Sequence, residues 1–419
     1  MERLILGENQ YYSLDCYETK LNNNVLVVGT TGAGKTRGVV IPNILEASGS
    51  YVISDPKGSL YDHYGDYLRS KGYEVCLLDF TEPEKSAHYN FFEYIRSTLD
   101  INKMANMIIK GDGPAINADP FWDDSAELLM ESLIAYVHET CSKEEQTLAS
   151  IVKLMEAMNI SGDYEINDSV VDIIMKDLEE KNKDSYALRQ YRKFRVAASR
   201  TLRSIMITLN SKISNFDTPE IREMTAYDDI DIGSLGFKKR AVFVVVSDND
   251  RSLDRLVNLF FTQAMNELCY VADKKCEENR LPVPVRFILD DFATNCKINE
   301  FPRMISSIRS RGISAMLMIQ SEGQLETGYG HDWKTIISNC DSYVYLGAND
   351  VDTAQAVARR CDVPLKKILA MPVGTNWIFR RGQEPINGKI IDLDEYLANS
   401  EKTKEGHNGS DKRRKPHTR

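Results

Sequence analysis

The chain has 419 residues, of which 42% are hydrophobic and 27% charged, the values of an ordinary globular protein. A net charge of −10 excludes bulk basic attraction to nucleic acid, so contact with DNA would need a local basic surface. The eight cysteines show no C-x-x-C spacing and the six histidines show no ligand spacing. We therefore expect reduced cysteines in a cytosolic protein, and no structural zinc.

The N-terminus lacks the basic start and the long apolar core of a signal peptide. No apolar run in the sequence approaches the roughly 18 residues that a membrane-spanning helix needs. The sequence therefore predicts a soluble chain.

The strongest motif is Gly29-Thr-Thr-Gly-Ala-Gly-Lys35-Thr36, which follows the apolar run 25–28 and leads into a helix-compatible segment. This strand–loop–helix context is typical of a phosphate-binding loop. The glycines let successive N–H groups point at phosphate oxygens, and the helix N-terminus adds a positive dipole end. Lys35 is expected to reach the β- and γ-phosphates, and the Thr36 hydroxyl to ligate Mg²⁺. The predicted nucleotide-binding residues are Gly29, Thr30, Thr31, Gly32, Ala33, Gly34, Lys35 and Thr36.

Short apolar runs separated by helix-length segments follow one another near the N-terminus. These runs are residues 25–28, 51–53 and 75–78. The alternation predicts βαβ units and a parallel sheet. Pro42 is expected to kink or end the helix after the phosphate loop, and Gly72 to stop a helix over 59–71.

From about residue 95 to residue 226 a 3.6-residue apolar period dominates, which predicts an all-helical insertion. A long helical segment is expected over 185–215. One predicted apolar face comprises Phe121, Trp122, Ala126, Leu129, Met130, Leu133, Ile134 and Val137. Strand signals return at 241–246, 285–290, 315–319 and 343–345, with a short β pair around 377–391.

The predicted fold is therefore α/β, with one mainly parallel sheet interrupted by an all-α domain. We expect residues 1–95 and 227–400 to form the two parts of the nucleotide-binding domain and 96–226 the inserted domain. Residues 401–419 are polar and charged and are expected to be disordered. Their basic cluster, 412–415, could bind DNA, acidic lipid or a partner, or only keep the tail soluble.

A phosphate loop needs a partner carboxylate for the Mg²⁺ shell, usually at the end of a buried strand beside the loop strand. The run Val285–Leu289 is predicted to be such a strand, and it ends in Asp290-Asp291. Asp290 is the predicted carboxylate on the metal side, so that Thr36 and Asp290 would share the Mg²⁺ ion. Asp291 is the candidate general base that polarises the attacking water.

Two further candidates follow along the chain. Gln320 ends the next predicted strand, where a polar amide can sense the γ-phosphate or orient water; the alternative is a cap or turn residue. Arg309 precedes Gly312 and that strand. An arginine near a γ-phosphate stabilises transition-state charge, often from a neighbouring subunit, whereas the default interpretation is a solvated helix end.

Two other features leave alternatives open. Asp55 and Lys57 end the second predicted strand, where they either belong to a functional motif or form a turn fixed by Pro56 and Gly58. A basic stripe in the helical segment is either a solvated helix face or a contact for DNA or another substrate. Its members are Arg189, Arg192, Lys193, Arg200 and Arg203.

Taken together, the ordered motifs resemble the soluble part of type IV secretion coupling proteins, the TraG/TraD-like ATPases of bacterial conjugation. The resemblance covers about residues 20 to 390. The blocks that carry it are the phosphate loop with Pro42-Asn43, Asp55-Pro-Lys-Gly58, Tyr89-Asn90, Phe121-Trp122, Leu289-Asp-Asp-Phe-Ala293, Arg309-Ser-Arg-Gly-Ile313, Gln320-Ser321, Gln324-Leu325 and Asn339-Cys340.

The resemblance implies a RecA-like P-loop domain, an inserted all-α domain and a homo-oligomer, a hexameric ring with ATP and Mg²⁺ between subunits. It implies delivery of a relaxase–DNA complex, or of secreted proteins, to a type IV secretion channel at the cytoplasmic face of the membrane. By position, Lys35 and Thr36 match the phosphate and Mg²⁺ residues, and Asp290 the second Mg²⁺ carboxylate. Gln320 matches the family's sensor glutamine and Arg309 its trans-acting arginine.

The sequence departs from the family pattern in two respects. Asp291 stands where the family usually has glutamate, which is one methylene longer, so hydrolysis is expected to be slow. Family members also usually carry transmembrane helices before the phosphate-loop strand. The alternatives to an ATP-driven coupling protein are a docking receptor that binds ATP with little hydrolysis, or a RecA-like DNA translocase of another branch.

Overall fold

The computed structural model describes residues 2–111, 119–158 and 169–398. Its strands, in chain order, are β1 (Arg3–Gly7), β2 (Gln10–Ser13), β3 (Val25–Val28), β4 (Ser50–Asp55), β5 (Glu74–Asp79), β6 (Arg240–Val245), β7 (Val285–Leu289), β8 (Ile313–Ile319), β9 (Ser342–Tyr345), β10 (Thr375–Arg380) and β11 (Ile386–Lys389). Nine of them form one sheet in the order β11-β10-β9-β3-β8-β7-β4-β6-β5, and β1 pairs with β2. In this spatial order, all neighbouring strands in the stretch β9-β3-β8-β7-β4-β6-β5 pair in parallel, whereas β10 is antiparallel to both of its neighbours.

The α-helices, in chain order, are α1 (Cys16–Thr19), α2 (Ile41–Leu45), α3 (Ser59–Ser70), α4 (Thr98–Lys110), α5 (Pro120–Thr140), α6 (Leu148–Met158), α7 (Val170–Lys181), α8 (Tyr186–Phe194), α9 (Ser199–Ile213), α10 (Pro219–Met224), α11 (Asp254–Lys275), α12 (Phe301–Met304), α13 (Glu322–Tyr329), α14 (Trp333–Ser338), α15 (Val351–Cys361) and α16 (Leu365–Leu369). A π-helical turn, Thr36–Val40, precedes α2.

These strands confirm the predicted α/β class with a mainly parallel sheet. The runs that predicted strands correspond to β3 through β9, and the expected late pair is β10 with β11. The sequence analysis did not predict the β1–β2 hairpin, because β2 is short and lacks a buried alternating face. Pro42 lies in the first turn of α2, where the π-turn passes into an α-helix. Gly72, with φ of 83°, follows the end of α3 as expected.

Both faces of the sheet are buried, which is why its central strands are almost wholly apolar. Val25 and Val27 of β3 face a core that includes α2, α3 and β1. Leu26 and Val28 face the opposite core, which continues without a break into α4, α5 and α11. The helical region therefore shares an apolar core with the sheet.

The helices α4 to α10 all lie between β5 and β6 in the sequence. Within the described residues of this interval every regular element is helical, as expected for an all-α insertion. The domain limits themselves, at about residues 95 and 226, stay a prediction. The expected tail, 401–419, and its basic cluster at 412–415 lie outside the described residues.

The expected single helical segment over 185–215 is broken. α8 ends at Phe194 and α9 begins at Ser199, and Val196 in the connecting turn is 86% exposed. Both helices pack against α5, which the break allows. The basic stripe is consequently divided between two helices. On α8, Arg192 pairs with Glu179 and the Arg189 guanidinium lies over the Tyr186 ring.

The predicted apolar face of α5 needs one correction. Its members from Ala126 to Val137 are buried, but Phe121 and Trp122 are 44% and 37% exposed. They occupy the first turn of α5, which Asp119 caps, and contact each other edge to face with ring centroids 5.1 Å apart. Helical periodicity identifies the apolar side of a helix, but it does not tell how far along the helix its neighbours extend.

Candidate nucleotide-binding site

The phosphate loop connects the carboxyl end of β3 to the π-turn and α2. The Gly29 N–H donates to the Ile319 carbonyl on β8 at 3.1 Å, and the Thr30 N–H to the Gly347 carbonyl at 3.0 Å. Gly34 has φ of 90°, and a Cβ there would lie 3.0 Å from the Ile390 side chain. The backbone angle therefore favours glycine at position 34, and a larger residue would also displace the Ile390 side chain.

Lys35 turns back over this loop. Its Nζ donates to the Gly29 carbonyl at 2.7 Å and to the Thr30 carbonyl at 3.3 Å. Burial lowers the pKa of Lys35, while the carboxylates of Asp291 and Asp290 act to raise it. The ammonium group thus lies inside the loop and near both acidic residues. A lysine that binds the phosphates of a nucleotide needs this position.

Thr36 and Asp290 are in direct contact, because the Thr36 Oγ1 donates to the Asp290 Oδ2 at 2.8 Å. Burial raises the pKa of the Asp290 carboxyl, and the hydrogen bond from Thr36 opposes that shift. The sequence analysis placed the acidic strand beside the loop strand, and this was wrong. β8 lies between β3 and β7, so Asp290 reaches Thr36 across an intervening strand.

The chemistry of this pair fits Mg²⁺. A hydroxyl and a carboxylate oxygen are hard ligands, and Mg²⁺ in nucleotide sites takes only one or two protein ligands beside phosphates and water. In residues 2–111, 119–158 and 169–398, no group of three or more His, Cys, Asp or Glu side chains is arranged to hold a metal alone. Thr36 and Asp290 would therefore hold the ion together with a bound nucleotide.

Asp291 faces the same region from a strained turn. Its φ is 50°, its side chain is half-buried, and the next residue, Phe292, donates its N–H to the Met318 carbonyl at 2.9 Å. The carboxylate is near enough to Lys35 to oppose the lowering of the lysine pKa by burial. The predicted pair Asp290 and Asp291 therefore lies at the phosphate loop.

Gln320 follows β8 directly, and β8 is the neighbour of β3, with Ile319 opposite Val28. Gln320 is consequently beside Gly29 at the carboxyl edge of the sheet. Its backbone N–H donates to the Gln324 Oε1 at 2.8 Å. The structure thus brings Gln320 to the phosphate loop, Lys35 and the acidic pair.

Arg309 is the predicted site residue that the structure does not bring there. It precedes β8, whereas Gln320 follows that strand, so the seven residues of β8, roughly 23 Å, separate it from the loop edge. One of its guanidinium nitrogens donates to the Cys16 carbonyl at 3.0 Å. Within one chain, Arg309 is therefore at the opposite edge of the sheet from the phosphate loop.

Asp55 has a structural role that the sequence left open. It is 1% exposed and accepts a hydrogen bond from the Tyr61 N–H at 2.9 Å, in the first turn of α3. Burial raises the pKa of Asp55 to about 6. Gly58, with φ of 69°, makes the turn between them. These contacts favour the turn interpretation of this motif.

The segment after β11 is a part of the site that the sequence analysis missed. Ile390 packs on Gly34 and Gly38 of the phosphate loop and the π-turn. A cavity of about 730 Å³ opens beside it, lined by Tyr11, Arg37 and Ile390 among others. The segment is about 350 residues from the loop in sequence, and no local motif points to it.

These features define a P-loop nucleotide-binding fold of the RecA-like type. They are a mainly parallel sheet, a phosphate loop after one strand, and an aspartate at the end of another strand that contacts the threonine of the loop. The family model for "Type IV secretory system Conjugative DNA transfer" matches residues 4–362. The chain belongs to this family.

Similarity to individual proteins agrees with this family assignment. The conjugal transfer protein TraG of Escherichia coli is 23% identical over 353 residues, covering 80% of this chain and 54% of TraG. The VirD4 protein of Agrobacterium fabrum is 24% identical over 344 residues, covering 80% of this chain and 48% of VirD4. This chain thus spans about half the length of these relatives.

Solved structures support the fold. The plasmid coupling protein TrwB in complex with a non-hydrolysable ATP analogue has a TM-score of 0.64 and 17% identity, covering 88% of this chain and 85% of TrwB. VirB4 of Thermoanaerobacter pseudethanolicus has a TM-score of 0.51 and 13% identity, covering 93% of this chain and 96% of VirB4. Across the ranges that the structure describes here, no helix is both long and apolar enough to cross a membrane.

Proposed function

We propose that this chain is a Mg²⁺-dependent ATPase that acts as the coupling protein of a conjugative type IV secretion system. The observation that carries the proposal is the 2.8 Å contact between the Thr36 hydroxyl and the Asp290 carboxylate. This contact joins the phosphate loop to the acidic strand end, which is the arrangement that holds Mg²⁺ against a nucleoside triphosphate. The complexes of TrwB with a non-hydrolysable ATP analogue, and with ADP and Mg²⁺, support an adenine nucleotide and this metal.

Each residue then has a defined task. The backbone N–H groups of Gly29–Thr36 bind the phosphates, and Lys35 exchanges its loop carbonyls for phosphate oxygens. Bound Mg²⁺ would neutralise charge that develops on the phosphates. Asp291 accepts a proton from, or orients, the attacking water, and Gln320 lies where it can sense the γ-phosphate.

Arg309 completes the site only in a homo-oligomer. It is at the far edge of the sheet in its own chain, so any contact with a γ-phosphate must be made in a neighbouring subunit. The proposed assembly is a ring, by family resemblance a hexamer, in which Arg309 stabilises the transition-state charge of the next subunit's nucleotide.

The proposed cargo is a relaxase–DNA complex or a secreted protein, delivered to the secretion channel at the cytoplasmic face of the membrane. Direct contact with DNA would be weak and salt-sensitive, because the net charge is −10 and only local basic surfaces such as that of α8 and α9 are available.

The test is steady-state ATP hydrolysis, with and without single- and double-stranded DNA, for the wild type and Lys35→Ala. DNA-stimulated turnover that Lys35→Ala abolishes supports a motor. Turnover that survives Lys35→Ala unchanged would place hydrolysis outside this loop and refute the proposal.

A second candidate is a docking receptor that binds ATP but hydrolyses little. It is favoured by Asp291, whose side chain is one methylene shorter than the family's glutamate. Asp291→Glu tests the cause of slow hydrolysis in the wild type: a marked gain in turnover would attribute it to the short carboxylate and support the receptor. No gain, despite tight ATP binding, would attribute it to missing assembly.

A further inference from the structure

A second polar cavity lies at the amino edge of the sheet, remote from the phosphate loop. Its volume is about 390 Å³. It is enclosed by the N-terminal segment, α1 and the starts of β7 and β8. Three arginines line it from separate parts of the chain: Arg280, Arg286 and Arg309.

Arg286 is the most constrained of these arginines. It is 5% exposed, and within the described residues its guanidinium makes two weak hydrogen bonds of 3.4 Å, to the Ser314 Oγ and the Asn43 Oδ1. The same Asn43 oxygen already accepts from the Ile5 N–H at 3.1 Å. Within the described parts of the chain, no carboxylate oxygen lies within 4.0 Å of this guanidinium. Buried charges are normally paired, so Arg286 lacks the counter-ion that its position calls for.

The other two arginines also make their hydrogen bonds to neutral groups, as far as the chain is described. Arg280 donates to the Arg309 carbonyl at 3.3 Å and lies over the Tyr17 ring at 5.3 Å. Arg309 donates to the Cys16 carbonyl. The cavity therefore presents three guanidinium groups whose charges are not neutralised by direct ion pairs in the described structure.

Two carboxylates line the cavity, Glu2 and Asp15. Asp15 is occupied as the cap of α1, accepting from the Tyr17 N–H at 2.7 Å and the Glu18 N–H at 3.2 Å. Glu2 is exposed at the rim. Two carboxylates against three arginines still leave the lining with an excess of positive charge.

We propose that this cavity binds a small phosphate-bearing anion, with Arg286 and Arg280 as its ligands. Guanidinium groups match the spread of phosphate oxygens with paired N–H donors. The volume is at the lower end of small-molecule sites, and Leu14 and Tyr17 offer apolar surface for an organic group attached to the phosphate. The site is separate from the proposed ATP site of the same chain, since Arg286 is the second residue of β7 and Asp290 follows the end of that strand.

Pyrophosphate is the probe, and calorimetric titration at constant ionic strength set with sodium chloride is the measurement. The Lys35→Ala background weakens binding at the phosphate loop, and the arginine variants then show whether the remaining binding belongs to the cavity. We expect one binding event per chain in Lys35→Ala. Adding Arg286→Gln or Arg280→Gln should weaken it by about tenfold or more, since each removes charged hydrogen bonds.

Arg311→Gln is the matched control, because Arg311 lies in the same segment as Arg309 but pairs with Asp273 and does not line the cavity. Glu2→Gln should tighten binding by removing a competing carboxylate. Loss of all pyrophosphate binding in Lys35→Ala would overturn the inference, as would unchanged affinity in both Arg280→Gln and Arg286→Gln. Should Arg286→Gln fail to fold, Arg280→Gln decides alone, since Arg280 is half-buried and outside the strands. These outcomes do not depend on whether the wild type hydrolyses ATP.

Discussion

The two edges of the central sheet collect opposite charges. At the carboxyl edge, the phosphate loop meets Asp290 and Asp291, and the buried cation Lys35 is surrounded by loop carbonyls and these acids. At the amino edge, Arg286 and its neighbours meet neutral oxygens and a partly acidic rim. This difference underlies the two proposals, Mg²⁺ with a nucleotide at the carboxyl edge and a phosphate-bearing anion at the amino edge.

The contrast is sharpest for Arg309, which is on the amino edge of its own chain but is proposed to act on the carboxyl edge of another. Arg309→Ala should lower ATP turnover by about 10³-fold or more, in the range for arginines that stabilise phosphoryl transfer in trans. Steady-state hydrolysis at a protein concentration that permits assembly measures it.

Mixing Lys35→Ala chains with Arg309→Ala chains provides the control for this prediction. Lys35→Ala chains retain Arg309, and Arg309→Ala chains retain Lys35, so mixed oligomers should recover part of the activity that each lacks. Absence of any recovery, although mixed oligomers form, would argue against action in trans. Arg311→Ala is the matched variant in the same segment.

Asp290→Asn tests the carboxyl edge itself. Removing the charge should lower turnover by about 10²-fold and raise the Mg²⁺ concentration required, because a hard anionic ligand is lost. The protein should not become less stable, since burial already raises the pKa of this carboxyl and asparagine can still accept from Thr36. A Mg²⁺ titration of hydrolysis, with a thermal unfolding curve, measures both. An activity loss that follows a fall in melting temperature would instead indicate misfolding.

Asp55 gives a pH-dependent prediction at the same edge. Its pKa is about 6 in the folded chain against an ordinary 3.8, so the folded state binds the proton more tightly than the unfolded state. The resulting stability is fully present below pH 4 and is lost as the pH rises through 6. The free energy of unfolding of the wild type, relative to Asp55→Asn, should therefore fall by about 2–3 kcal/mol between pH 4 and pH 7.5.

Denaturant unfolding of both proteins at several pH values measures the direction of this change in the free energy of unfolding. Asp66→Asn, an exposed carboxylate on the same helix α3, is the control for removing one acidic group. A free energy of unfolding of the wild type that rises, relative to that of Asp55→Asn, between pH 4 and pH 7.5 would contradict the assignment.

Much of this fold could be predicted from local patterns in the sequence. A glycine-rich loop after an apolar run, and further apolar runs of strand length, identified the phosphate loop and the strands β3 to β11 because each depends on neighbouring residues. Long-range facts were not accessible in the same way. Three findings depend on contacts between residues far apart in sequence. β8 lies between β3 and β7, Ile390 packs on Gly34, and buried Arg286 makes no ion pair with a carboxylate in the described residues.

The smallest expected effect sharpens the contrast at the amino edge. Arg311 makes a bidentate pair with Asp273, at 2.8 Å for both contacts, and the pair is partly exposed. Exposed ion pairs contribute little because solvent screens them, so Arg311→Gln should destabilise the fold by less than about 1 kcal/mol. Chemical denaturation measures it, with Asp273→Asn as the reciprocal variant. A larger loss than for Arg286→Gln would mean that the paired arginine, and not the unpaired one, dominates the stability of this edge.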